Sequence, residues 1–139
     1  VNFLEKINKL SGAQLIHYRA GDYLLLQEFQ QISDLYFSQT LDNCNKKYLV
    51  SNDDAYSLKY LSSLSNQDIE PISDATALDD FILIMHSSNL ILSNSTFSWW
   101  AAEFSSAEKI YQPDPFFSHL KWNPETNKNR IKVKIEIKN

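Results

Sequence analysis

Three short stretches carry the side chains best suited to chemistry: His17-Tyr18-Arg19-Ala20-Gly21-Asp22-Tyr23, Ser51-Asn52-Asp53-Asp54, and Ser93-Asn94-Ser95-Thr96-Phe97-Ser98-Trp99-Trp100. A helix opening at Phe97 would present backbone N–H groups that have no intrahelical acceptor, flanked by the hydroxyls of Ser95, Thr96 and Ser98. Such an end suits an anion, a diphosphate above all. Arg19 offers a forked guanidinium that matches phosphate oxygens. His17, two residues earlier, falls on the same face of a strand. A site of this kind would stabilise a departing diphosphate without a metal ion. Asp53 and Asp54 are acidic enough to hold Mg²⁺ but follow a different strand.

Each stretch also has a plain structural reading. Asp22 is a natural ion-pair partner for Arg19. Paired aspartates ahead of a helix serve as N-cap and first-turn residues. Asn94-Ser95-Thr96 is a capping sequence, and Trp99 and Trp100 are suited to a core.

The elements that must position these residues alternate apolar runs with amphipathic ones, the pattern of an α/β fold with a mainly parallel sheet. Strands are expected at Ala13 to Tyr18, Lys47 to Val50, Asp68 to Ile72, Asn89 to Ser93 and Lys109 to Gln112, with an edge strand at Ile131 to Ile137. Helices are expected at Ser33 to Leu41, Asp54 to Leu64, Thr76 to His86 and Phe97 to Phe104, the third with Leu78, Phe81, Ile82 and Met85 inward. Pro113 and Pro115 are expected to open an irregular segment. The chemistry-bearing stretches then follow strand ends, where open sheets of this kind hold ligands.

The 139 residues carry a formal charge of −4, which does not give the clustered positive charge of a nucleic-acid partner. The lysines between Lys128 and Lys138 alternate with Ile and Val and read as a half-exposed strand rather than a basic patch. Cys44 stands alone, so no intramolecular disulfide is available and a reducing compartment is expected. Neither a signal pattern nor an apolar run of about 20 residues is present. The expected setting is the cytoplasm, with peripheral association at the inner face of the membrane open to a full-length protein.

The first stretch resembles the His-x-Arg-Arg-Gly-Asp-Tyr motif of the alpha-1,2-fucosyltransferases of glycosyltransferase family 11. Ser51-Asn52-Asp53-Asp54 is similar to their Ser-Asp-Asp block. Asp80, a helix, and then Asn94-Ser95-Thr96-Phe97-Ser98-Trp99-Trp100-Ala101-Ala102 resemble their third block nearly residue for residue. Order and spacing agree from about Ala13 to Gln112. The resemblance implies a GT-B type enzyme of two Rossmann-like halves. Residues 1–139 would form the single C-terminal, nucleotide-sugar-binding domain, and an N-terminal acceptor domain would lie outside this chain.

The same resemblance implies GDP-fucose as donor, transfer with inversion, and no metal or other cofactor. Arg19 would neutralise the diphosphate, His17 would support the donor pocket and Asp22 would orient Arg19. Asp80 would read guanine, since a carboxylate accepts both N1–H and N2–H of that base. Ser95, Thr96 and Ser98 would line the phosphate site. The implied acceptor is a glycan such as a galactose of an O-antigen or capsule polysaccharide. Two positions depart from the motifs. Ala20 stands where the second arginine is found, removing a cation, and Asn52 either precedes Asp53 as an insertion or replaces an aspartate. No general base stands out, with His17 and Asp22 as nominal candidates.

Three other readings fit parts of the sequence. A phosphorelay receiver would place acidic residues after the first strand, where His17 and Arg19 stand instead. A degenerate glycosyltransferase-like domain could serve binding or assembly without catalysis. A related transferase could use another nucleotide sugar.

Overall fold

The computed structural model describes residues 2–20, 34–43, 45–73, 76–114, 116, 126 and 129–135. The elements run α1 (Phe3–Lys9), β1 (Gln14–Tyr18), α2 (Asp34–Thr40), β2 (Lys47–Ser51), α3 (Asp54–Leu64), β3 (Ile69–Pro71), α4 (Ala77–Met85), β4 (Asn89–Ile91), α5 (Thr96–Glu103), β5 (Lys109–Asp114) and β6 (Ile131–Lys134). All pairings are parallel, in the order β3-β2-β1-β4-β5-β6. This is a Rossmann-like three-layer sandwich, wound outward in both directions from β1 and β4.

Side chains alternate across the sheet and build two cores. Leu15, Tyr48, Val50, Leu90 and Ile110 face Leu10, Leu83, Ile84, Ala101 and Ala102, so α4, α5 and the end of α1 cover one side. Ile16, Tyr18, Leu49 and Ile91 face Tyr36, Phe37 and Leu61, so α2 and α3 cover the other. His17 and Arg19 therefore belong to the α4–α5 side, while Tyr18 and Ala20 belong to the α2–α3 side.

Several sequence expectations change. The short helix α1 was not anticipated, although Asn2 accepts from the Glu5 amide (2.9 Å) and donates to the Glu5 carboxylate (3.3 Å) as a reciprocal cap. In α4, Phe81 and Met85 pack against the core as expected, but Leu78 is exposed and the fully buried residues are Leu83 and Ile84. Phe-Ile-Leu-Ile-Met is apolar all the way round, so periodicity could not select the inward face. Strand β4 ends two residues early, at Ile91, and β5 runs on through Pro113 to Asp114.

The continuation of β5 through a proline has a specific cause. The Leu92 amide donates to the Tyr111 carbonyl (2.9 Å), so the next parallel rung would run from residue 113 back to the Leu92 carbonyl. Pro113 has no N–H to give. The buried hydroxyl of Tyr36, 2.5 Å from the Leu92 carbonyl and 3.1 Å from that of Tyr111, supplies the missing donor from α2. Burial also holds this phenol well above its ordinary pKa, so it stays protonated. Tyr36→Phe leaves the buried Leu92 carbonyl without its donor. A loss of about 1–3 kcal/mol is expected in urea unfolding, against almost none if that carbonyl finds water.

Candidate functional site

A cavity of about 340 Å³ opens at the carboxyl edge of the sheet, on its α4–α5 side. His17 and Arg19 come from the end of β1, and Val50, Ser51 and Asn52 from the end of β2. Ser73 follows β3, Thr76, Ala77 and Asp80 begin α4, and Phe97 stands in the first turn of α5. The neighbouring strands β1 and β4 are those between which the winding reverses, and β1 is thus flanked by loops from both directions. Small-molecule sites of open α/β sheets form in this crevice.

Ser93 ties the two central strand ends together. Its hydroxyl accepts the Arg19 amide (3.2 Å) and lies 3.2 Å from His17 Nδ1. Where the hydroxyl donates to Nδ1, the imidazole proton stands on Nε2. His17 lines the cavity as a neutral ring. Its pKa is lowered to about 3, first because burial penalises the charged ring and second because the Arg19 guanidinium lies near. The ring also packs against Phe97, centroids 5.8 Å apart, and Phe97 meets Phe81 edge-on at 5.5 Å. A ring with so low a pKa is too weak a base to deprotonate a hydroxyl efficiently near neutral pH.

The beginning of α4 divides its two aspartates. Asp79 is engaged in the cap, with its amide donating to the Thr76 hydroxyl (3.1 Å) and its carboxylate accepting from the same hydroxyl (2.8 Å). Asp80 lines the cavity. Among the described lining residues, Arg19 and Asp80 are the charged pair, one cation and one carboxylate.

The opening of α5 is less simple. The Ser95 side chain makes no cap hydrogen bond. Ser95 and Ser98 are buried, and the Ser98 hydroxyl donates to the Ser95 carbonyl (3.1 Å), the local bond a first-turn serine makes where water is excluded. Thr96 is exposed. Of the residues expected from sequence, the structure brings His17, Arg19 and Asp80 to one cavity. Ser95, Thr96 and Ser98 adjoin it without lining it, and the helix reaches it through Phe97. Asp22 lies outside the described residues. Trp99 is buried against Phe116, whereas Trp100 is half exposed and stacks on Phe104.

Sequence reasoning did not assign Ser93, Asn52 or Ser73 to the site. Asn52 spans the gap to the first loop, accepting the Ala20 amide (2.7 Å) and donating to the Ala20 carbonyl (3.0 Å). Asp53 caps α3 by accepting the Tyr56 amide (3.1 Å), so within the second stretch Asp53 serves the helix while Ser51 and Asn52 line the cavity. Among the described residues, no group of three or more His, Cys, Asp or Glu is placed to hold a metal ion.

A cleft beyond the carboxyl ends of parallel strands, where strand order reverses, is the ligand crevice of a Rossmann-like domain. The family model described as Glycosyl transferase family 11 matches residues 3–129, and the chain belongs to that family of fucosyltransferase-type glycosyltransferases. No curated protein and no solved structure gives a match to the chain. Among the described residues, no helix is long and apolar enough to cross a membrane.

The state of His17 sets a pH dependence. Its folded pKa of about 3 lies below its ordinary value of 6.5. Between those limits the unfolded chain binds the extra proton, so stability is full above pH 6.5 and falls as the pH drops toward 3. The contribution approaches a slope of about 1.4 kcal/mol per pH unit. His17→Gln should flatten the unfolding free energy measured between pH 7 and 5, above the range where most carboxylates titrate. Equal slopes in both proteins would mean that the ring is not held neutral.

Proposed function

We propose that this chain is the donor-binding half of a two-domain glycosyltransferase that moves fucose from GDP-fucose to a glycan hydroxyl, with inversion. The acceptor class is a galactose-bearing surface polysaccharide, and the reaction runs at the cytoplasmic face of the membrane. The observation that carries the reading is the convergence of Arg19, His17 and Asp80 on one crevice that α5 reaches through Phe97.

In this reading the acceptor oxygen attacks C1 of the sugar as the bond from C1 to the β-phosphate oxygen breaks, and the electron pair leaves with the diphosphate. Arg19 neutralises the charge that grows on the departing group, with amides at the opening of α5 and the His17 Nε2–H as further donors. That charge compensation takes the place of a metal ion. Asp80 accepts from N1–H and N2–H of guanine. The acceptor's proton goes to Asp22 or to a group of the acceptor-binding half, since His17 is too weak a base.

Ala20 does not argue for a degenerate module. Its side chain is fully buried among Ile16, Tyr18, Tyr36 and Phe37, across the sheet from His17 and Arg19. Alanine there withdraws no cation from the crevice as built.

Titration calorimetry at millimolar GDP should show binding, and Arg19→Ala should weaken it by about 1.5–3 kcal/mol, the worth of a charge-assisted hydrogen bond. A folded chain that gives no heat with GDP would sink the donor reading. Asp80→Ala should erase the preference for GDP over ADP while keeping most of the diphosphate affinity. A preference that survives the substitution would remove Asp80 from base recognition.

A further inference from the structure

The last backbone rung between β1 and β2 pairs Tyr18 with Ser51. One residue further on, Asn52 takes over with its side chain, accepting the Ala20 amide at 2.7 Å and donating to the Ala20 carbonyl at 3.0 Å. A carboxamide engaged at both ends has its rotamer fixed, and it fixes the peptide units it holds. On the other flank the Arg19 amide is held by Ser93, from the loop after β4. The backbone that carries the guanidinium is therefore gripped on both sides by loops from different strands.

We propose that Asn52 is a positioning residue for the donor site: its two-point clamp on Ala20 holds Arg19 in the pose that meets the diphosphate. The inference rests on the donor reading above. Its physical content is preorganisation. Without the clamp, two backbone groups of a strand-end loop lose their partners, and Arg19 must be ordered at the expense of binding free energy. Neither Asp53, spent on capping α3, nor Ser51, bonded to Ser57 and to the Asp53 amide, can substitute.

The test is a double-mutant cycle with GDP as the probe, read by calorimetry on chains shown by circular dichroism to be folded. Asn52→Ala should weaken GDP by about tenfold, the equivalent of one to two ordinary hydrogen bonds. In an Arg19→Ala background the same change should matter by less than about twofold, because a residue that acts through Arg19 has nothing left to position. Proton exchange at the Ala20 amide, followed by NMR without ligand, should accelerate in Asn52→Ala.

An equal loss in both backgrounds would overturn the proposal, since Asn52 would then touch the ligand itself. Unchanged GDP affinity, or an Ala20 amide that exchanges no faster, would overturn it as well. If the unmodified chain fails to bind GDP, the donor reading falls and takes the clamp's role with it. Binding by the unmodified chain with no effect at position 52 defeats the clamp alone.

Discussion

The carboxyl edge of the sheet is held together by side chains that act as hydrogen-bond rungs after the backbone ladder has stopped. Ser73 joins β3 to β2 by accepting the Ser51 amide (3.0 Å), Asn52 joins β2 to β1, and Ser93 joins β1 to β4. Tyr36 does the same between β4 and β5 from a helix. Strand-end backbone groups that would otherwise be open to water are thereby satisfied internally. The loops can then stand at fixed separations around a crevice instead of collapsing into it. The contact of the imidazole with Ser93 and the place of the backbone that carries the guanidinium follow from these rungs.

The electrostatics of the crevice follow from the same enclosure. A histidine sealed between Phe97 and Ser93, beside a guanidinium, gives up its proton and becomes a neutral donor. Among the described lining residues the positive charge is thus carried by Arg19 and the negative charge by Asp80. A cation on a fixed backbone is a sharper anion receptor than one on a mobile backbone, because less conformational freedom must be frozen when the ligand arrives.

Much of the fold was legible in the sequence, where apolar runs and turn residues alternate strongly. The helix from Asp54 to Leu64 and the strand beginning at Lys47 have the bounds or start that the pattern suggests. The convergence of His17 and Arg19 on one face followed from two-residue periodicity. What the sequence hid was the use made of small polar residues. A serine or asparagine after a strand can cap, turn or bridge, and the choice depends on partners far along the chain, as with Arg19 and Ser93. Ser98, expected to line a phosphate site, is one of these, with its hydroxyl donating to the Ser95 carbonyl of its own helix. Arg130 is a further case, at the head of a stretch that looks like an ordinary exposed edge. Its guanidinium is buried, bonded to Glu103 at 2.7 Å and lying 4.4 Å from the Trp99 ring, and only the folded chain, which brings α5 beside the start of β6, reveals it.

The phenol that completes the rung at Pro113 has a consequence for how this fold can vary. An imino acid in a central strand and a hydroxyl on a distant helix form one unit, since each makes sense of the other. A residue with an amide at position 113 would restore the backbone donor to the Leu92 carbonyl, the part that the Tyr36 hydroxyl now plays. The worth of the phenol at position 36 is therefore tied to the missing amide at position 113, a coupling that no property of either residue alone would suggest.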